Sequence, residues 1–157
     1  MSKKKKRTSD STPFLRFLFV VYVALLLWLL FDRTPGWGSA DTYAEVLRGN
    51  MNLDPFHTIG NYWTVVKRMD FSPIFYHCVI NLAGNVLLFV PIGYFLPRLW
   101  SSLRKFFPFL LTCVLAVTLV ELLQLVTLLG SLDVDDLILN LFGMIVGYLC
   151  FIIFKKY

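Results

Sequence analysis

Four apolar runs, each about the length needed to cross a bilayer, constrain this chain more than any other feature. A helix spans roughly 30 Å of hydrocarbon with about 20 residues. Residues 14–31 read FLRFLFVVYVALLLWLLF, with Arg16 as their single charge. Residues 74–96 read IFYHCVINLAGNVLLFVPIGYFL, and 106–129 read FFPFLLTCVLAVTLVELLQLVTLL. The fourth run, 132–154, opens on an acidic turn. Only 16% of the chain is charged, against about 25% in a soluble domain. The expected fold class is therefore all-α: a four-helix transmembrane bundle, with spans at about 14–31, 74–96, 106–129 and 132–154.

Charge orients the spans. The opening MSKKKKR carries five Lys/Arg, and the link PRLWSSLRK carries Arg98, Arg104 and Lys105 with no acid. Lys155 and Lys156 close the chain. Short basic loops stay cytoplasmic, so both termini are expected inside, with residues 1–13 as a basic cytoplasmic tail ahead of a 14–154 transmembrane domain. The first 40 residues also resemble a signal peptide ending in GSA, but their apolar stretch exceeds the usual 7–15 residues. KKKKR matches a nuclear signal pattern; directly before a span, the positive-inside reading takes precedence and no nucleic-acid partner is expected. Cys78, Cys113 and Cys150 all lie within spans, are odd in number and form no Cys-x-x-Cys pair. They read as small packing residues.

The segment between the first two spans is expected to be an extracytoplasmic lid. RTPGWGS is a turn-rich exit, ADTYAEVLR suits a short helix, and NMNLDPFHTIGNYW mixes turn formers with interfacial aromatics. A lid over 50–63 would shield Phe56 and Trp63 relative to Trp37.

Polar residues inside the spans form stripes. His77, Asn81 and Asn85 are spaced four apart, Glu121 and Gln124 three apart, and Asp136 and Asn140 four apart. Such spacings share a helix face, and intramembrane polar groups face the bundle interior. Counting at about 1.5 Å per residue puts Asn81, Glu121 and Asn140 roughly 10–12 Å below the outer surface, and His77, Gln124 and Asp136 roughly 4–8 Å below it. Matching depths on three helices predict a polar, wet pocket rimmed by Asp133, Asp135 and Asp136, with Asn140 at its floor. Helix gluing by amides is the simpler alternative, worth about 0.6 kcal/mol per interaction. It does not offset the about 2.5–3.5 kcal/mol of inserting a carboxylate, so Glu121 is protonated, hydrated or retained for use. The acids at the mouth of the fourth span also suit a helix N-terminus. Gly143 and Gly147 in GMIVG form a GxxxG packing motif, and Pro91 should kink the second span by removing the bond to the Leu87 carbonyl.

NLAGNVLLFVPIGYFLP, VELLQLVTLLGSLDVDDLILNLFGMIVGY and NMNLDPFHTI together resemble the VanZ-like family of small bacterial membrane proteins. Asn52, Leu53, Pro55 and Phe56 match its first element. Asn81, Asn85, Phe89, Pro91 and Gly93 match the second, and Glu121 and Gln124 the third. Asp133, Asp136, Asn140, Gly143 and Gly147 match the fourth. Gly130 stands where the family often carries an arginine. The resemblance covers about 14–154 and implies a multi-pass cell-membrane protein of the cell envelope. The family is named for a protein linked to low-level resistance to glycopeptides such as teicoplanin, so it also implies a place among antibiotic-resistance proteins.

Three function classes stay open: a protein binding an envelope lipid or cell-wall precursor in an outer pocket, an enzyme acting on such a lipid, and a small proton-coupled transporter. Binding ranks first, because the pocket has His77, and Arg48 from the lid, as its basic groups and lacks a phosphate clamp. The expected pocket comprises Asn52, His77, Asn81, Asn85, Glu121, Gln124, Asp133, Asp136 and Asn140. Glu121 and Asp136 are the catalytic candidates under the enzyme reading. No nucleophile elbow, P-loop or HExxH is present; the enzyme reading would allow a divalent cation on Asp133, Asp135 and Asp136, a weak signal, since three acids alone do not make a hydrolase. No metal and no cofactor is expected.

Overall fold

The computed structural model describes residues 11–32, 42–69 and 71–154. The basic tail through residue 10, the whole RTPGWGS exit with Trp37, and the terminal lysines lie outside the described residues.

Four helical stretches are long and apolar enough to cross a membrane. The first is α1 (Ser11–Phe31). After it, α2 (Tyr43–Gly49) starts on a capping box: Thr42 Oγ1 accepts from the Glu45 amide, and the Glu45 carboxylate accepts from the Thr42 amide at 2.9 Å. β1 (Met51–Asn52) and α3 (His57–Arg68) complete the segment between the first two spans. On α3 the half-buried residues are Thr58, Ile59, Tyr62, Val65 and Val66, an i, i+4, i+7 stripe that turns one face inward.

The expected second span is one apolar stretch in two helices, α4 (Pro73–Leu87) and α5 (Val90–Leu99). The break at Leu88–Phe89 follows from Pro91, which occupies the first turn of α5, where a missing N–H costs nothing. The Leu88 carbonyl accepts from the Tyr22 hydroxyl at 2.5 Å. α1 is thus pinned at the one place where the span's backbone opens.

A 3₁₀ turn (Ser101–Arg104) leads into α6 (Phe106–Thr127). Then β2 (Leu132–Asp133) runs directly into α7 (Val134–Phe154). α7 packs closely on both helices of the second span, α4 and α5. A Cβ on Gly93 would strike the Met144 carbonyl oxygen, one on Gly143 the Val86 carbonyl, and one on Gly147 the Val90 carbonyl. The GxxxG glycines therefore serve a contact between spans two and four within one chain. The core joins Leu26, Phe89, Phe109, Cys113, Val117, Met144 and Tyr148. Phe109 and Tyr148 stack at 4.5 Å, and the Tyr148 hydroxyl donates to the Arg104 carbonyl at 2.8 Å. That bond ties the C-terminal half of α7 to the basic loop, so the start of α7 lies at the opposite end of the bundle.

β1 and β2 pair in parallel, Met51 opposite Leu132 and Asn52 opposite Asp133. The Leu132 amide also donates to the Asn50 carbonyl at 2.8 Å. The segment between spans one and two therefore docks on the mouth of α7.

Candidate functional site

The turn before α3 is made by its sequence. Asp54, Pro55, Phe56 and His57 form a four-residue reversal in which the His57 amide donates to the Asp54 carbonyl at 3.4 Å. Proline fits the second position, and the third requires positive φ. Phe56 fills it at φ 67°, where glycine or asparagine is usual. Asp135 holds the strained residue. Its Oδ1 accepts from the Phe56 amide at 2.5 Å and its Oδ2 from the Ile59 amide at 3.0 Å. A carboxylate from α7 thereby caps α3, satisfying first-turn amides and meeting the positive end of the helix. Asp135 is fully buried.

Asp133, two residues earlier, joins the lid to the bundle from the other side. Its Oδ2 accepts from the Thr58 hydroxyl at 2.8 Å and from the Asn52 amide at 3.2 Å, and its Oδ1 accepts from the Asp135 backbone amide at 2.8 Å. The Asp133 amide in turn points to Glu121 Oε2 at 3.4 Å. Glu121 is buried at 3% exposure. Asp136 accepts from the Asn85 side-chain amide at 2.6 Å.

These contacts surround a cavity of about 390 Å³ lined by Thr58, Tyr62, His77, Asn81, Ser131, Asp133 and Asp136. Tyr62 and His77 meet edge to face at 5.9 Å across α3 and α4. Burial, reinforced by the neighbouring Cys78, Asp136 and Asp133, pushes the Tyr62 phenol up. It therefore remains a protonated donor at neutral pH. Asn81 Oδ1 is buried and accepts no hydrogen bond from described residues.

Of the nine residues the sequence grouped as a pocket, His77, Asn81, Asp133 and Asp136 line this cavity, and Asn52 and Asn85 bond directly to its aspartates. Glu121 lies behind Asp133. Asn140 is buried at 4% exposure, and its Oδ1 accepts no hydrogen bond from described residues. Gln124 is directed elsewhere: its amide donates to the Leu30 carbonyl at 2.9 Å, holding the end of α1. Arg48 is exposed on α2 and is not among the lining residues. Phe56 and Trp63 are 64% and 54% exposed. The lid docks, but through Asn52, Thr58, Ile59 and Tyr62, with those two rings on its outer face. The sequence reading missed Thr58, Tyr62 and Ser131. Thr58 carried one usable signal, standing two residues beyond the Asn-Leu-x-Pro-Phe element.

The lining offers carboxylate and amide acceptors beside hydroxyl donors. Among the described residues that line it, His77 is the sole basic side chain. No grouping of three or more His, Cys, Asp or Glu suited to a metal ion occurs among the described residues. Such a surface suits hydroxyl and amine groups better than bare phosphate.

Comparison with known proteins covers nearly the whole chain. The family model VanZ/LLP1 matches residues 19–155. Protein VanZ of Enterococcus faecium is 26% identical over 133 residues, spanning 84% of this chain and 70% of that protein. No solved structure matches. With four candidate membrane spans and a family match of this extent, the chain is a membrane protein belonging to the VanZ/LLP1 family.

Proposed function

We propose that the cavity beneath α3 faces the outside of the cell and binds the polar headgroup of an envelope lipid or cell-wall precursor. Through that binding the protein would affect susceptibility to glycopeptides of the teicoplanin type. The observation that carries the reading is the cavity itself. It is about 390 Å³, polar, and built at the end of a bundle whose flanks are apolar. Its chemistry supports a headgroup rich in hydroxyls or amines, with Asp133 and Asp136 accepting and Tyr62 donating. The preformed lid contacts favour binding, because the aspartates are already oriented before a ligand arrives. The likeness to Protein VanZ supports the envelope assignment.

Native mass spectrometry of the full chain, purified from its membrane in mild detergent, tests this reading. Wild type should carry an envelope lipid or precursor that Asp136→Asn loses by about tenfold or more, the effect of removing a charge-assisted hydrogen bond. Helix content and elution volume verify that the variant is folded. Equal retention by wild type and folded Asp136→Asn would overturn the proposal.

A further inference from the structure

A second site lies at the other end of the molecule and does not rest on the reading of the cavity. α1 leans on α5 without closing against it, and two apolar hollows flank it. One, about 230 Å³, runs between α1 and α6 from Phe19 to Leu30 and is floored by Phe89, Ile92 and Met144. The other, about 290 Å³, lies on the adjoining side of α1 and is bounded by Val20, Ala24 and Trp100. Phe19, Val23 and Leu27 line both and form the ridge between them. Thr112 lines the first hollow without making it polar, because its hydroxyl donates to the Pro108 carbonyl at 2.8 Å. From Phe19 to Leu30 is about 16 Å along the helix, close to one leaflet of a roughly 30 Å hydrocarbon core.

The end of the ridge is basic. Arg16 stands seven residues before Val23 and eleven before Leu27, on the same helix row. It is exposed and has no acidic partner among the described residues. Phe19, one turn along, meets the Trp100 ring edge to face at 5.5 Å. Arg16 therefore lies at the end of the bundle that carries the loop from Trp100 to Lys105. Lys105 is exposed there too, whereas Arg104 is tied to the Pro97 carbonyl. A pair of hydrocarbon-lined hollows under an exposed guanidinium, with a tryptophan beside them, matches a two-tailed lipid with an anionic head.

We infer that this face is a binding site for an anionic phospholipid, with its phosphate at Arg16, Lys105 assisting, and its acyl chains in the hollows on either side of the Phe19–Val23–Leu27 ridge. Charge complementarity selects the headgroup, and the apolar lining takes the tails.

The test uses the full chain in neutral detergent micelles, titrated with dioleoylphosphatidylglycerol or dioleoylphosphatidylcholine and read by native mass spectrometry. The glycerol lipid should be retained over the choline lipid by about fivefold for each basic side chain engaged. Arg16→Gln with Lys105→Gln should abolish that preference, bringing retention of the phosphatidylglycerol down to that of the phosphatidylcholine. Ala24→Trp, which fills one hollow from the exposed face of α1, should lower retention of both lipids with unaltered helix content. Asp136→Asn should leave the preference intact, separating this site from the outer cavity. Equal retention of the two lipids by wild type, or an undiminished preference in the Arg16/Lys105 variant, would overturn the inference. So would lipid retention unaffected in Ala24→Trp.

Discussion

The carboxylate of Asp135, fully buried, accepts from two backbone amides 76 and 79 residues earlier in the chain. Two covalently distant pieces of backbone are thereby fixed by one side chain. Spacing puts Asp136 and Asn140 on a common face of α7, and the sequence was legible to that extent. Asp135 falls on a different face, and no periodicity says that a turn in the lid will meet it there. Gln124 carries the complementary lesson. It shares a helical row with Glu121, yet its long side chain bonds the Leu30 carbonyl, because the last carbonyls of α1 need donors. Truncating Asp135 to alanine strands the Phe56 and Ile59 amides at about 1–3 kcal/mol each and removes what offsets the positive φ of Phe56. Asp135→Ala should therefore release the lid selectively. Amide hydrogen exchange should accelerate across α3 while α6 and α7 stay protected. Unchanged exchange in α3 would mean that the β1–β2 pairing and the Asp133 bonds to Asn52 and Thr58 hold the lid without Asp135.

Among elements, the spans were the most legible part, because about 20 apolar residues in a row admit few alternatives. Pro91 also announced the break between α4 and α5. Two features left no trace. The β1–β2 pairing is two residues long on each side, too short for an alternating pattern. The crossing of α7 over the second span needs Gly93 of α5 against α7, Gly147 against the start of α5, and Gly143 against the end of α4. Sequence identifies small residues but not the surface that faces them. Gly143→Ala would push a methyl into the Val86 carbonyl, and overpacking of this kind costs about 1–3 kcal/mol. Gly84 is a fair control, since a Cβ there meets nothing within 4 Å; Gly84→Ala should stay within about 0.5 kcal/mol of wild type. Unfolding of the two variants in mixed micelles, followed by circular dichroism, checks the ordering. Equal stability would mean that α7 shifts freely against the end of α4.

On the scale of the whole molecule, the bundle is polarised. The acid-rich cavity with its docked lid occupies one end, and Arg16, Arg98, Arg104 and Lys105 occupy the other. The proposed function requires the basic end to lie in the cytoplasm, as the positive-inside rule predicts, and the cavity to open outward. Everything proposed for the cavity depends on that direction. Ser131 lines the cavity, and Ser102 sits in the basic loop. The decisive measurement is therefore labelling of intact cells with a membrane-impermeant thiol reagent, in a background with Cys78, Cys113 and Cys150 replaced by alanine. Ser131→Cys should react from outside, while Ser102→Cys should react only after the membrane is permeabilised. The reverse pattern would turn the cavity toward the cytoplasm and contradict its role with an external precursor.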